Sequence, residues 1–75
     1  FDALARTVRN AAEGQRHPTL LWAAHRAGEM VAEGEIDAAT AAADLARAAM
    51  EGGGKDAKNA EATARYGIKR GQGGA

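Results

Sequence analysis

The chain lacks several residue types, and each absence removes a class of function. It contains no cysteine, so it can form neither a disulfide framework nor a zinc site built on thiolates. It also contains no serine, and none of its threonines has an evident activating base. Nothing in the sequence therefore provides a nucleophile with its base, and no catalytic residue is predicted.

Long apolar runs and aromatic residues are also scarce. The longest apolar run is far shorter than a transmembrane helix, and no signal-peptide pattern opens the chain. We therefore expect a cytoplasmic protein. Aromatic residues make up only 4% of the chain, and β-branched residues are too few for a sheet.

Alanine dominates what remains, and it is the strongest helix former. Its small side chain buries little apolar area, so we expect a thin core. The periodic apolar spacing predicts an all-α fold, a small bundle of about four short helices. The predicted helices are Phe1–Ala12, a segment from Pro18 ended by Gly34, a segment capped by Asp37 and ended by Gly52, and approximately Asp56–Arg70.

Each helix has a predicted inward face. In the first predicted helix the face consists of Phe1, Leu4, Ala5, Val8, Ala11 and Ala12, and in the second of Leu20, Ala23, Ala24, Ala27 and Val31. In the third it consists of Ala39, Ala42, Leu45, Ala46, Ala49 and Met50, and in the fourth of Ala57, Ala60, Ala64 and Ile68. Residues 1–71 are predicted to form the bundle, and residues 72–75 a Gly-rich linker or tail. Because the chain starts at Phe1 and ends in this Gly-rich stretch, we expect it to be a fragment of a longer protein.

The formal net charge is zero, but the charges are unevenly distributed. The stretch Glu29–Glu51 is acidic, whereas the last helix is basic. Lys58, Arg65 and Lys69 fall in one narrow arc of that helix, with Tyr66 beside them. This arc fits a surface that follows a phosphate backbone, with an aromatic ring for base stacking. A solvated basic face near a helix C-terminus is the alternative.

The single tryptophan, Trp22, lies on the polar side of the second helix together with His25, Arg26 and Glu29. An exposed Trp beside basic residues indicates a contact surface. Alternatively, the indole folds back over the alanine core and is mostly buried.

Metal and nucleotide sites are not indicated. His17 and His25 do not share a helical face, and the thiolates of a usual zinc site are missing. The stretch Gly52-Gly53-Gly54-Lys55 lacks the Gly-Lys-Ser/Thr order of a phosphate-binding loop and has no strand before it. No metal ligand and no cofactor are therefore predicted in this domain.

Two stretches carry a resemblance to a known family. The first is Gly14-Gln15-Arg16-His17-Pro18-Thr19-Leu20, followed by an Ala-rich helix and by Gly34-Glu35-Ile36-Asp37. The second is Thr63-x-x-x-Gly67-x-x-x-Gly71. Their order resembles the helical domain that follows the catalytic core in bifunctional DNA primase–polymerases of phages, plasmids and actinobacterial mobile elements. The resemblance covers Gly14–Gly71. One departure is His17, where the family usually has Asn, a better N-cap for a helix starting at Pro18.

The resemblance implies an accessory role in DNA replication. In such proteins the metal-dependent nucleotidyl transfer belongs to the preceding domain, where a divalent metal and nucleotides bind, and a helicase-like ATPase often follows. The helical domain helps to hold single-stranded or template DNA, and sometimes nucleotide, during primer synthesis. The candidate DNA-binding residues, chosen by charge and geometry, are Arg16, His17, Trp22, His25, Arg26, Lys58, Arg65, Tyr66, Lys69 and Arg70.

Two hypotheses follow for the function of the domain. One is this non-catalytic, DNA-binding accessory domain of a primase–polymerase. The other is a structural or protein-interaction helical module that uses Trp22 and the acidic third helix and has no role with nucleic acid.

Overall fold

The computed structural model describes residues 1–73, which form four helices and no strand. This confirms the predicted all-α bundle. The helices are α1 (Asp2–Arg9), α2 (Arg16–Ala32), α3 (Ala38–Glu51) and α4 (Ala57–Gly73). Within the described residues, none of these helices is both long enough and apolar enough to cross a membrane.

The C-terminal boundary differs from the prediction. Helix α4 runs three residues beyond Arg70, so Gly71, Gln72 and Gly73 belong to it. Of the predicted Gly-rich tail, residues 72–73 are therefore helical, and Gly74 and Ala75 lie outside the described residues. The helix continues through Gly71 because this residue is buried against α2, and packing outweighs the low helix propensity of glycine.

Aspartate side chains cap the two C-terminal helices. Asp37 Oδ2 accepts a hydrogen bond from the backbone N–H of Thr40 at 3.1 Å, which confirms the predicted N-cap of α3. Asp56 Oδ1 accepts one from the Asn59 N–H at 3.0 Å. Each carboxylate satisfies one N–H group that has no partner within its helix, and this fixes where the helix begins.

The predicted ends of the first two helices need correction. Helix α1 ends at Arg9 and not at Ala12; Asn10 follows it, and Asn side chains compete with helical hydrogen bonds. Gly14, with φ of +90°, forms the turn before α2. Helix α2 begins at Arg16, so Pro18 is its third residue. Proline is tolerated there because the first four N–H groups of a helix have no intrahelical partner.

The predicted inward face of α2 is buried except for Val31, which is only partly buried, and the buried faces of α3 and α4 differ from the prediction. Leu20, Ala23, Ala24 and Ala27 are buried on α2 as predicted. On α3, Ala39 is exposed and Ala49 and Met50 are only partly buried, whereas Ala41 and Ala48 are buried. The buried arc is wider than a single stripe because α3 packs against all three other helices. On α4, Ala57 is exposed, and the buried set also contains Thr63, Gly67 and Gly71.

The core is thin, as the alanine content predicted. Leu45 is the largest fully buried side chain, and most of the other core residues are alanines. Phe1, which precedes α1, and Leu4 and Ala5 within it are only partly buried against this core, while Ala12, beyond the end of α1, is exposed. Helices with such small side chains must approach one another closely to bury their apolar faces.

The closest approach is between α2 and α4, which lie side by side and run parallel. Leu21 and Thr63 line one groove near the N-terminal ends, and Gly28 meets Gly71 farther along both helices. Helix α3 runs in the opposite direction to α4, since the C-terminal end of α3 meets the N-terminal end of α4. The α2–α4 pair thereby forms one layer, whose outer face carries most of the candidate site.

Candidate nucleic-acid interface

Residues spaced four apart form ridges along a helix, and α4 has three ridges of different character. The first consists of small residues, Thr63, Gly67 and Gly71, all buried. A Cβ atom built on Gly67 would lie 2.5 Å from the Cβ of Ala24, and one on Gly71 would lie 3.1 Å from the Cα of Gly28. The Thr-x-x-x-Gly-x-x-x-Gly pattern therefore has a structural explanation in this chain: it lets α4 contact the backbone of α2.

The second ridge lies beside the first on the outer face, and all of its residues are exposed. We call it the Tyr66 ridge. It consists of Lys58, Ala62, Tyr66 and Arg70. Lys58 and Arg70 are twelve residues apart, which is about 18 Å along a helix rising 1.5 Å per residue. One aromatic ring thus stands between two cations on a single exposed line.

Tyr66 and Arg70 interact directly. Arg70 Nη1 donates a hydrogen bond to the Tyr66 hydroxyl at 3.3 Å, and its guanidinium carbon lies 5.6 Å from the ring centroid. The i, i+4 spacing brings the two side chains together. The pair holds the ring in a defined orientation while Tyr66 stays 53% exposed.

The third ridge contains Glu61, Arg65 and Lys69 and faces α3. Arg65 Nη2 lies 2.6 Å from Glu61 Oε1, so the charge of Arg65 is compensated within its own helix. The spacing of a Glu four residues before a cation favours this pair. Among the described residues, no carboxylate lies within salt-bridge distance of Lys58, Lys69 or Arg70. These three are the cations of α4 whose charge is free to attract phosphate.

A shallow groove lies between the Tyr66 ridge and α2. It has a volume of about 230 Å³ and is lined by His17, Leu21, Ala62, Thr63 and Tyr66. Sequence reasoning named two of these residues and missed Leu21, Ala62 and Thr63. The spacing of Ala62 between Lys58 and Tyr66 was visible in the sequence, but the parallel placement of α2 beside α4 was not.

The outer face of α2 adds a second exposed aromatic side chain. Trp22 is 51% exposed, which decides between the two predictions for its indole: it does not fold back over the core. Two of its neighbours on α2 contact Glu29. Arg26 Nη1 donates to Glu29 Oε1 at 2.8 Å, and His25 Nδ1 lies 4.0 Å from Glu29 Oε2. Arg26 also lines a groove shared with Leu4 of α1, so it lies toward α1.

Arg16 lies apart from these residues and turns toward the protein. Its Nη1 donates a hydrogen bond to the backbone oxygen of Gly53 at 3.2 Å, and its Nε is buried without a hydrogen-bond partner among the described residues. A Cβ on Gly53 would lie 2.6 Å from Arg16 Nη2. The glycine loop therefore leaves room for this guanidinium, which ties the loop to the start of α2.

His17 is also placed differently from the prediction. It is the second residue of α2, while Gln15 is the N-cap and makes no side-chain cap bond. Position 17 is therefore not the N-cap of α2, and an Asn at this position would not cap the helix either. His17 faces the groove beside Tyr66 instead.

The structure thus divides the ten candidate residues among different surfaces. The Tyr66 ridge and the groove beside it bring together His17, Lys58, Tyr66 and Arg70. Trp22 and His25 lie on α2 with partly exposed side chains, and Lys69 lies on the third ridge of α4. Arg65 lies on the α3 side and is paired with Glu61, Arg26 lies toward α1, and Arg16 holds the glycine loop.

Another groove, of about 370 Å³, separates α3 from α4. Its floor is formed mainly by alanines of α3 and by Ile68, and Arg65 and Lys69 lie on its α4 side. The groove has few kinds of polar group: apart from the charged α4 side chains, only Gln72 of the described residues contributes a polar side chain to its lining. Lys69 therefore stands between this groove and the Tyr66 ridge.

Comparison with protein-family models, curated proteins and solved structures found no match to this chain. The resemblance to primase–polymerase helical domains rests on the sequence motifs alone.

Proposed function

We propose that this chain is a non-catalytic accessory domain that binds DNA through the outer face of its α2–α4 layer. The observation that carries this proposal is the arrangement on α4: Lys58, Lys69 and Arg70 have no carboxylate partner among the described residues, and Lys58 and Arg70 lie on the same ridge as an exposed tyrosine. Free cations attract phosphates without regard to sequence, and an aromatic face stacks on unpaired bases.

The zero net charge of the chain does not oppose this proposal, because the charges are segregated. Acidic residues concentrate between Glu29 and Glu51, whereas α4 carries Lys58, Arg65, Lys69 and Arg70 against a single carboxylate, Glu61. At physiological ionic strength, charges separated by more than about 8 Å are largely screened from one another. A phosphate at the Tyr66 ridge therefore responds mainly to the cations of that ridge and to Lys69.

The resemblance of the two motif stretches supplies the biological setting of the proposal. The domain holds single-stranded or template DNA in a cytoplasmic replication protein, while the metal ion, the nucleotide and the polymerisation chemistry belong to a neighbouring primase domain. A helicase-like domain of the same chain is the other proposed neighbour. The helical domain contributes affinity for the template and supplies no reacting group.

A charge-reversal experiment tests the DNA-binding proposal. The variant Lys58→Glu/Lys69→Glu places two negative charges on the proposed surface. The matched control is Arg6→Glu/Arg47→Glu, which makes the same change in net charge at exposed positions of α1 and α3. Affinity for a fluorescent dT oligonucleotide is measured by anisotropy, and folding is checked by circular dichroism.

The expected result is loss of binding in the first variant and a much smaller change in the control. Equal weakening in both variants would show that only the net charge matters. Unchanged binding in the first variant would rule out the α4 surface. In the intact protein, the α4 variant is expected to reduce primer synthesis on a single-stranded template, whereas the control variant is not.

The exposed Trp22 favours a second candidate function, a protein-interaction module. An exposed tryptophan is a typical anchor of a protein interface. Under this hypothesis, Trp22→Ala in the intact protein abolishes assembly or domain docking and leaves DNA affinity unchanged. If it instead leaves assembly intact, this candidate is wrong.

A further inference from the structure

The groove between α2 and α4 has the size and the lining for a single planar ring. Its volume of about 230 Å³ is below the roughly 300–1,000 Å³ of pockets that hold drug-sized ligands. The walls are Leu21, Ala62 and the Tyr66 ring, and His17 and Thr63 contribute polar atoms. No carboxylate lines the groove, so nothing in it repels the phosphate attached to a nucleotide.

We propose that this groove is a subsite for one unpaired nucleobase of a single DNA strand, which stacks on the ring of Tyr66. This inference rests on the proposed DNA-binding function. It adds that the DNA is single-stranded and that Tyr66 is the side chain that distinguishes a single strand from a duplex. Trp22, the other exposed aromatic residue, is not part of the groove lining.

The Tyr66 ring is prepared for stacking. The guanidinium of Arg70 lies over the ring, with its carbon 5.6 Å from the centroid, and donates a hydrogen bond to the phenolic hydroxyl. About half of the residue remains exposed, which leaves ring surface available to a base. A ring that is already held in place loses little conformational entropy when a base binds. The neighbouring Ala62 is too small to cover the ring from the preceding turn of the helix.

The cations on the same ridge lie where a strand would carry phosphates. Arg70 is one turn beyond Tyr66, about 6 Å along the helix, and Lys58 is about 12 Å away on the other side. A strand lying along the ridge can thus place phosphates near Lys58 and Arg70 while one base enters the groove. In a duplex the base faces are stacked on one another, so the groove would remain empty and only phosphate contacts would form.

The experiment separates base contacts from phosphate contacts. Affinity of the 75-residue chain is measured for a dT oligonucleotide, for an abasic strand of the same length and for the corresponding duplex, at one salt concentration. The ratio of dT affinity to abasic affinity reports stacking. We expect about a tenfold ratio for the native chain, in line with the stacking contribution of one base on an aromatic side chain.

Four variants test whether the groove is responsible for the ratio of dT affinity to abasic affinity. Tyr66→Leu removes the aromatic face and Ala62→Leu fills the groove, so both should bring the ratio close to one. Tyr66→Phe keeps the face and should retain the ratio. Trp22→Leu, the matched removal of the other exposed aromatic ring, should also retain it. Circular dichroism confirms that each variant is folded.

The outcomes distinguish this inference from the proposed function. If the native chain binds no DNA, the proposed function is wrong and the subsite is wrong with it. If the chain binds dT and abasic strands equally, or if only Trp22→Leu lowers the ratio, DNA binding stands and the groove inference is overturned. A ratio that falls in both Tyr66→Leu and Ala62→Leu, and only in those, supports it.

Discussion

Gly71 of α4 packs directly on Gly28 of α2: a Cβ built on Gly71 would lie 3.1 Å from the Gly28 Cα and would overlap the carbonyl oxygen of His25. This contact sets the distance between the two helices whose outer face carries the candidate site. If the helices moved apart, the groove between Leu21 and Tyr66 would widen. The glycine pair therefore keeps the two helices at the distance that the site requires. We do not expect it to contact DNA.

Gly71→Ala should destabilise the fold strongly. The added methyl group meets backbone atoms of α2, which cannot yield as a flexible side chain can. Overpacking of this kind costs typically 1–3 kcal/mol, and we expect at least about 2 kcal/mol. The matched control is Gly73→Ala, where nothing lies within 4 Å of the added Cβ, and which should keep or raise stability because alanine favours the helix. Urea denaturation measures both, and equal stability of the two variants would contradict the packing described.

Asp37→Ala should lower stability by about 1 kcal/mol through loss of the α3 N-cap. The carboxylate accepts the Thr40 N–H, and alanine cannot replace this bond. Asp44→Ala is the matched control, since Asp44 forms an exposed ion pair with Arg47, and such pairs contribute little. The free energies of unfolding should separate the two variants. A larger loss in Asp44→Ala than in Asp37→Ala would contradict this account.

Arg16→Ala should reduce stability and leave DNA affinity unchanged. The side chain donates to the Gly53 carbonyl, and one such hydrogen bond contributes about 1 kcal/mol. The exposed Arg26 serves as control, because Arg26→Ala removes only a surface pair with Glu29. Thermal denaturation and anisotropy titration are run on both variants. If Arg16→Ala weakens DNA binding at unchanged stability, Arg16 belongs to the interface.

Glu61→Gln should strengthen DNA binding. The carboxylate of Glu61 neutralises Arg65 at 2.6 Å, so its removal makes a further cation available to phosphate. The affinity for single-stranded DNA should rise, and the slope of log K against log salt should become steeper by up to about 0.7. Glu35→Gln makes the same change of net charge near α1 and should have little effect. If both variants raise affinity equally, the effect comes from net charge alone.

The sequence predicted the local features of this fold well, and the reasons are physical. The N-cap of α3 depends only on Asp37 and the residues that follow it. The pairing of Arg65 with Glu61 was equally visible as an i, i+4 spacing, although the prediction did not use it. Features confined to one helix can be derived from spacing.

Features that depend on two helices could not be derived in this way. The partner of Arg16 is 37 residues away in the chain, and no local pattern indicates it. Ala39 and Ala41 are both alanines of the same helix, yet only Ala41 is buried, because the placement of the neighbouring helices decides which side is covered. The groove beside Tyr66 likewise exists only because α2 and α4 run parallel and close together.

The central claim is that the free cations of α4 bind the phosphates of a DNA strand. The most direct test is the affinity of the 75-residue chain for a dT oligonucleotide as a function of salt. Lys58, Lys69 and Arg70 together predict a slope of log K against log salt of about −2, from about −0.7 per phosphate on a single strand. A slope near zero, or no binding at low salt, would contradict the account.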